Sequence, residues 1–210
     1  MRKFYLYIGV ASGLLACTGP QEPLRTGDLL FQVGRESAMS GAIQAATGKE
    51  GRLKFTHVGI AVVGDRADSV LEATSEGGVR MTAMSDFLKK SAAAKERPLV
   101  VAKRLKDTSG VAASVRRART FVGQPYDYSF RPGNGRMYCS ELVWESYLRP
   151  DGSRIFAARP MNFRAADGSM PAFWTELFEK LGEAIPEGLP GTNPDDLARD
   201  AQLGSPIPFF

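Results

Sequence analysis

The sequence predicts a single α+β domain in which helices pack against an antiparallel sheet. Its 210 residues are 43% hydrophobic and 24% charged, which is typical of one globular domain and not of a disordered or polytopic membrane chain. Two β-branched apolar runs, at residues 55–63 and 69–73, flank a Gly-Asp turn and indicate a hairpin. Other segments carry apolar residues at helical spacing, and no internal repeat or second domain boundary is visible.

The remaining elements follow from turn residues and periodicity. A Thr-Gly-Asp turn at residues 26–28 introduces the first strand, and Asn193-Pro194 has the form of a helix start. A loop rich in glycine, proline and aromatic residues occupies 123–137. One face of the helix predicted at 109–122 carries Val111, Val115, Ala118 and Val122. Strands are predicted at 29–31, 55–63, 69–73 and 99–104, and helices at 37–46, 85–94, 109–122, 139–148 and 171–181.

The first residues have the form of an export signal. Arg2 and Lys3 precede an apolar stretch of about 20 Å as a helix, whereas a membrane span needs about 30 Å. The Leu-Leu-Ala-Cys sequence ending at Cys17 resembles the bacterial lipoprotein signal. That resemblance implies a signal peptide at 1–16, acylation of Cys17 as a membrane anchor, and a place in the cell envelope, at the outer membrane in a Gram-negative cell. Residues 17–25 then form a tether and 26–210 the folded domain; the alternative is a plain N-terminal helix with an incidental cysteine.

Charge and residue counts argue against several classes of protein. The net charge is only +4, and the basic residues Arg116, Arg117 and Arg119 fall on a predicted helix where a solvated face explains them. No aromatic-and-basic groove pattern accompanies them, so we expect no nucleic-acid partner. The single histidine excludes multi-histidine metal sites, and two cysteines are too few for a disulfide scaffold. We expect no cofactor.

Three residues have contexts that suit nucleophilic catalysis. His57 begins a predicted strand, Glu72 lies on the strand expected to pair with it, and Cys139 begins a predicted helix. The free N–H groups of a helix start stabilise a thiolate and can face a developing oxyanion. An imidazole can take the thiol proton and return it to the leaving group, while a carboxylate orients the imidazole. This pattern suggests Cys139 as nucleophile, His57 as base and Glu72 as orienting residue.

Structural explanations compete with this interpretation. A lone strand histidine is often structural, a lone helical cysteine often packs in the core, and a strand glutamate often faces solvent. Glu141 opposes catalysis if its charge faces the thiol, but it can instead cap free N–H groups of the helix. Zinc bound by Cys139, His57 and Glu72 is a further alternative, with acceptable ligand types but without paired-cysteine spacing or a second histidine.

Five short blocks occur in order along the chain: TGDLLFQ (26–32), FTHVGI (55–60), LEA (71–73), GQPYD (123–127) and YCSELVW (138–144). Together they resemble the YiiX-type permuted papain-like cysteine hydrolases, which are related to the NlpC-type cell-wall peptidases and to the lecithin:retinol acyltransferases. Each block is weak alone, and their shared order makes the resemblance specific. It extends from residue 26 to about residue 147, and the C-terminal part matches more loosely.

The resemblance implies a circularly permuted papain-like (NlpC-like) fold, in which the strands carrying His57 and Glu72 precede the helix carrying Cys139. It implies that Cys139 is the nucleophile, His57 the base and Glu72 the orienting residue. It also suggests that Tyr138 and Tyr126 line the substrate pocket. No matched block is broken in a way that indicates an inactive enzyme.

The leading functional hypothesis is hydrolysis of an amide bond, in a peptide or a cell-wall fragment, through a thioester on Cys139. The acyltransferase relatives suggest a second hypothesis, cleavage or transfer of a lipid acyl chain, for which residues 126–130 supply aromatic side chains. A third hypothesis is a non-catalytic envelope protein that binds ligands with the same fold.

Overall fold

A computed structural model describes residues 22–48, 52–94 and 96–208. In this part of the chain a five-stranded antiparallel sheet is packed with helices, which confirms the predicted α+β class. The expected signal peptide, Cys17 and the start of the expected tether lie outside the described residues. Within those ranges, every helix is too short or too polar to cross a membrane.

The main sheet has the strand order β4-β3-β2-β1-β7. Strands β5 and β6 form a separate two-residue pair, as do β8 and β9. Gln32 lies opposite His57 in the register, so the start of β2 is fixed by its pairing with β1. The strands are β1 Leu29–Gln32, β2 His57–Val62, β3 Ser69–Thr74, β4 Gly78–Ala83, β5 Ala93–Ala94, β6 Arg97–Pro98, β7 Val100–Lys103, β8 Arg159–Pro160 and β9 Pro190–Gly191.

The helices begin and end at residues with capping chemistry. The side chain of Ser37 accepts the N–H of Ser40 at the start of α1, and the side chain of Asn193 accepts the N–H of Asp196 at the start of α6. Gly182 takes the left-handed conformation that ends α5. The helices are α1 Ala38–Thr47, α2 Met84–Lys89, α3 Val111–Thr120, α4 Cys139–Ser146, α5 Ala172–Leu181 and α6 Pro194–Leu197.

Alternating strand residues build an apolar layer on each face of the sheet, because successive side chains of a strand point to opposite sides. On one face Val58 and Ile60 pack with Leu142 of α4. On the other face Ala61 packs with Phe87 of α2. Burying one such large side chain contributes about 1.5–3 kcal/mol. This packing holds α4 against β2 and β3, and so brings the start of α4 to the strands that carry His57 and Glu72.

Two local predictions are wrong in detail, and one strand is missing from the predicted elements. The helix predicted at 85–94 ends at Lys89, and its last two residues form β5 instead. Strand β4 was not predicted, because exposed Arg80 and Met81 interrupt the alternation of its buried residues. Val122 was placed on the apolar face of a helix, but α3 ends at Thr120 and Val122 is 49% exposed.

Asp28 has the structural role that its place in the Gly-Asp turn suggests. Its carboxylate accepts two hydrogen bonds from the Arg104 guanidinium, at 2.7 and 2.8 Å, and one from the Arg25 N–H at 2.7 Å. Arg104 also reaches the Glu22 carboxylate and the Pro23 carbonyl, at 2.8 and 2.9 Å. Residues 22–25, at the end of the expected tether, therefore lie against the domain.

Candidate active site

Cys139 is the first residue of α4 and follows Tyr138, which has an extended backbone. The cysteine is free and 5% exposed. The first N–H groups of a helix have no acceptor within the helix, and they carry its partial positive charge. Cys139 is therefore attached at the positive end of α4.

Strands β2 and β3 bring His57 and Glu72 together. Nε2 of His57 lies 2.5 Å from Oε2 of Glu72, and the Glu72 side chain is only 1% exposed. The side chain of Cys139 is close enough to the imidazole that it helps to raise the pKa of His57. Because Nε2 is occupied by Glu72, Nδ1 is the ring nitrogen that remains for the cysteine. The structure therefore pairs His57 directly with Glu72, and it places Cys139 near enough to affect the pKa of the imidazole.

The surroundings of His57 favour the protonated form of its ring. Burial alone lowers the pKa of His57, but hydrogen bonds and charge attraction from Cys139 and Glu72 outweigh it and raise that pKa to about 10. Burial alone raises the pKa of Glu72, but the hydrogen bond and the charge of His57 bring the net shift downward. The two shifts therefore favour a charged carboxylate at Glu72 beside a charged imidazolium at His57.

An apolar cavity of about 60 Å³ opens beside Cys139. Both tyrosines expected from the sequence, Tyr138 and Tyr126, line it. The Tyr138 ring packs 5.3 Å from the Phe130 ring, and its hydroxyl accepts the N–H of Thr192 at 3.3 Å. The other apolar lining residues are Ile43, Phe130, Met161, Phe163 and Trp174.

A wide cleft of about 730 Å³ lies on the His57 side of the site. Its walls carry charged side chains, in contrast to the cavity: Arg35, Glu36, Glu76, Arg80, Asp86, Lys89 and Lys90. Tyr126 borders both the cleft and the cavity, and so stands between them. Burial raises the pKa of Tyr126 well above its usual value, so its hydroxyl remains protonated. The site thus has an apolar side next to the thiol and a charged side next to the imidazole.

Glu141 points into the protein. It is 0% exposed, and its Oε2 accepts the N–H of Tyr138 at 3.4 Å, which is the capping arrangement that the sequence left open as an alternative.

The zinc alternative finds no support in the described geometry. Across residues 22–48, 52–94 and 96–208, no three His, Cys, Asp or Glu side chains gather as a group that could hold a metal ion, Cys139, His57 and Glu72 included.

Some residues of the site were not found from the sequence. Phe163 and Trp174 lie far along the chain, and they reach the cavity because α5 and the preceding loop fold back beside α4. Asp127 is fully buried, and its carboxylate accepts the N–H and hydroxyl of Ser129 and the N–H of Arg131, at 2.9, 2.6 and 2.8 Å. The Asp-x-Ser spacing is a signal for this turn. Phe163 and Trp174 have no comparable signal.

Comparison with known proteins relates the whole described domain to one family. Residues 23–205 match the model of a family described as permuted papain-like amidase enzymes, YaeF/YiiX, C92. The uncharacterized protein YiiX of Escherichia coli K12 is 33% identical over 165 residues, which cover 77% of this chain and 75% of that protein. A crystal structure titled as the metalloprotein yiiX of Escherichia coli O157:H7 superposes with a TM-score of 0.70 at 28% identity, over 90% of this chain and 98% of that one.

Proposed function

The chain belongs to the YaeF/YiiX family of permuted papain-like amidases, and we propose that it hydrolyses an amide bond through Cys139, His57 and Glu72. The observation that carries this proposal is the 2.5 Å contact between His57 and the buried carboxylate of Glu72, with Cys139 at the start of α4 acting on the same imidazole. The family supports a cysteine hydrolase in general terms. The residue roles, the thioester and the substrate are our inference from the site.

In the proposed reaction, the thiol proton moves to Nδ1 of His57 and the thiolate attacks the amide carbonyl carbon. The carbonyl oxygen becomes negative and faces the N–H of Cys139 at the start of α4. When the C–N bond breaks, His57 gives its proton to the leaving amine, and the acyl group remains on the sulfur as a thioester. Water then loses a proton to His57 and attacks the thioester, which releases the acid and restores the thiol.

Glu72 holds the imidazole ring in orientation during both half-reactions. Its carboxylate accepts from Nε2 and stabilises the positive charge that the ring carries after it takes a proton. Because Glu72 is buried, water does not compete for this hydrogen bond.

The two sides of the site suggest how the substrate is oriented. The acyl group becomes attached to Cys139, so its side chain enters the apolar cavity beside that residue. The leaving amine receives a proton from His57, so it lies in the charged cleft. An amide of a peptide or cell-wall fragment, with an apolar residue on its acyl side and a polar amine half, fits both surfaces.

The apolar cavity favours a second candidate, cleavage or transfer of a lipid acyl chain. Its aromatic lining at the thiol could hold the first methylene groups of such a chain. A matched pair of anilides, N-acetyl-alanyl and N-decanoyl, separates the candidates. Preference for the peptide derivative supports the amidase, and strong preference for the long chain supports the lipid enzyme.

The export signal leads us to propose a lipid anchor on Cys17 that places the protein in the cell envelope, at the outer membrane if the cell is Gram-negative. The support is the basic start, the short apolar stretch and the small residues before Cys17. Labelled palmitate should enter the wild-type protein in cells and should not enter the Cys17→Ser variant. Equal labelling of both would contradict the anchor.

The catalytic proposal is tested by trapping the acyl-enzyme. Purified protein is mixed with p-nitrophenyl acetate, a reactive ester that acylates nucleophilic thiols, and the modified residue is identified by mass spectrometry. We expect an acetyl group on Cys139 in the wild type and none at that peptide in Cys139→Ala, with strong slowing in His57→Ala. Acetylation of Cys139 at the same rate without His57 would favour the non-catalytic binding protein.

A further inference from the structure

Glu141 is the buried ionisable group at the site that the proposed mechanism does not use. It is the third residue of α4, two positions after the proposed nucleophile, and it is 0% exposed. A carboxylate in the first turn of a helix normally faces solvent or a cation. In this chain it faces the protein interior, so its charge state affects the same helix end that the thiolate uses.

The surroundings of Glu141 suit an uncharged acid. Its Oε2 accepts the N–H of Tyr138 through a long bond of 3.4 Å, and its Oε1 has no hydrogen-bond partner among the described residues. No Lys, Arg or His of the described ranges forms an ion pair with it. A buried carboxylate with one bare oxygen and no cation is costly, and protonation removes most of that cost.

Nearby charges act in the same direction. Burial, and then the negative charge of Asp127, raises the pKa of Glu141 to about 8; Glu145 adds to the rise, and the backbone N–H groups of Tyr138 and Gly133 oppose it without cancelling it. Asp127 is fully buried and is held by three donors, so it cannot turn away. Three ionisable groups on elements packed against α4 are paired elsewhere: His57 with Glu72, Arg117 with Glu145, and Asp195 with Arg199. Arg116 and Arg119 of α3 are exposed and form no ion pair with Glu141.

We propose that Glu141 is a positioning residue that caps the start of α4 as a neutral acid, so that no second negative charge competes with the Cys139 thiolate and the oxyanion. This inference rests on the proposed function, because it concerns the same nucleophile. Loss of the Glu141 proton places a negative charge two residues from Cys139. That charge opposes both the thiolate and the oxyanion, so acylation slows as the pH rises through the titration of Glu141.

The test compares Glu141→Gln, Glu141→Ala and the wild type in acylation of Cys139 by p-nitrophenyl acetate across the pH range. We expect the wild-type rate to fall above about pH 8. Glutamine is neutral and keeps an acceptor for the Tyr138 N–H, so its rate should hold until His57 loses its proton, near pH 10. One pH unit above the Glu141 midpoint, the glutamine variant should be about tenfold faster than the wild type. The alanine variant is also neutral but lacks the cap, so it should be slower than the glutamine variant at every pH.

The matched control is Glu176→Gln, which makes the same chemical change at an exposed position in α5. Its acylation profile should coincide with that of the wild type. The proposal is overturned if the glutamine variant at position 141 shows the same alkaline decline as the wild type, or if the glutamine and alanine variants at that position behave alike.

A second measurement does not depend on catalysis. An acid whose pKa is raised by folding binds its proton more tightly in the folded state, so stability falls as pH rises from about 4.5 to about 8 and is then constant. Urea unfolding of Glu141→Gln should lack this loss. If Cys139 is never acylated in the wild type, the proposed function fails, but unfolding still decides the state of Glu141. An unchanged pH dependence of unfolding in the glutamine variant would show that the buried acid is not neutral.

Discussion

Replacing Glu72 by glutamine removes the negative charge beside His57 and keeps a side chain of the same shape. In the wild type, Oε2 of this buried glutamate lies 2.5 Å from Nε2 of the imidazole. When His57 is an imidazolium paired with a thiolate, both of its ring nitrogens carry protons. The amide oxygen of glutamine can therefore still accept from Nε2, and the ring keeps its orientation.

The size of the effect follows from the kind of hydrogen bond that is exchanged. A hydrogen bond to a charged group contributes about 1.5–3 kcal/mol, and a neutral one contributes about 1 kcal/mol. The difference of about 1–2 kcal/mol corresponds to a loss of roughly 5- to 30-fold in the rate of acylation. Cys139→Ala removes the nucleophile itself and should abolish acylation at that position.

The assay is the rate at which p-nitrophenyl acetate acetylates Cys139 at neutral pH, followed by mass spectrometry. The Glu72→Gln protein should be measurably active and should unfold in urea with the same m-value as the wild type. Loss of all acylation in a folded Glu72→Gln protein would refute the orienting role. The carboxylate would then have a more direct part in the chemistry.

Three further predictions concern the framework around the site, and urea unfolding measures each of them. Folding raises the pKa of His57 from 6.5 to about 10, so the stability that its proton contributes is complete below pH 6.5 and is lost as the pH rises through about 10. The difference in unfolding free energy between wild type and His57→Ala should therefore shrink across this interval. A constant difference would contradict the shift. Tyr147→Phe removes a buried hydrogen bond of 2.8 Å to the carbonyl of Gly27 and should cost about 1–3 kcal/mol, whereas a change near zero would show that the bond contributes little. Gly78→Ala combines a φ of +61° with a new Cβ only 2.1 Å from a main-chain carbonyl oxygen. It should therefore destabilise the protein by more than Gly123→Ala, where φ is +93° but the space around the Cβ is open. Equal losses of stability would mean that backbone strain alone, and not the close contact, sets the loss.

The strands next to the site could be predicted because local sequence and tertiary packing agree there. The β-branched run at 55–63 and the run at 69–73 form β2 and β3, and their antiparallel pairing follows from the turn between them. The permuted order of the site was available only from the five sequence blocks together. Composition and periodicity do not predict which strand packs against which helix.

Features that depend on tertiary contacts could not be predicted. Strand β4 has an irregular pattern of burial, because one side of it faces the open cleft. In the sequence Trp174 is an ordinary apolar residue of an amphipathic helix. Its place at the cavity depends on the packing of α5 beside Phe130 and Phe163. The burial of Glu141 is likewise invisible, because helical carboxylates normally face solvent and only the fold of the preceding loop turns this one inward.

The proposed mechanism requires that His57 and Cys139 act as an ion pair. The most direct measurement is the pH dependence of iodoacetamide alkylation at Cys139, followed by mass spectrometry to separate it from Cys17, in wild type and in His57→Ala. Free thiols titrate near 8.5, whereas thiols paired with a cationic imidazole react in a range of roughly 3.5–7.5. We expect rapid alkylation of the wild type at acidic pH and a shift of the profile toward that of a free thiol when His57 is removed. Slow alkylation with the same alkaline profile in both proteins would contradict the ion pair and the catalytic proposal built on it.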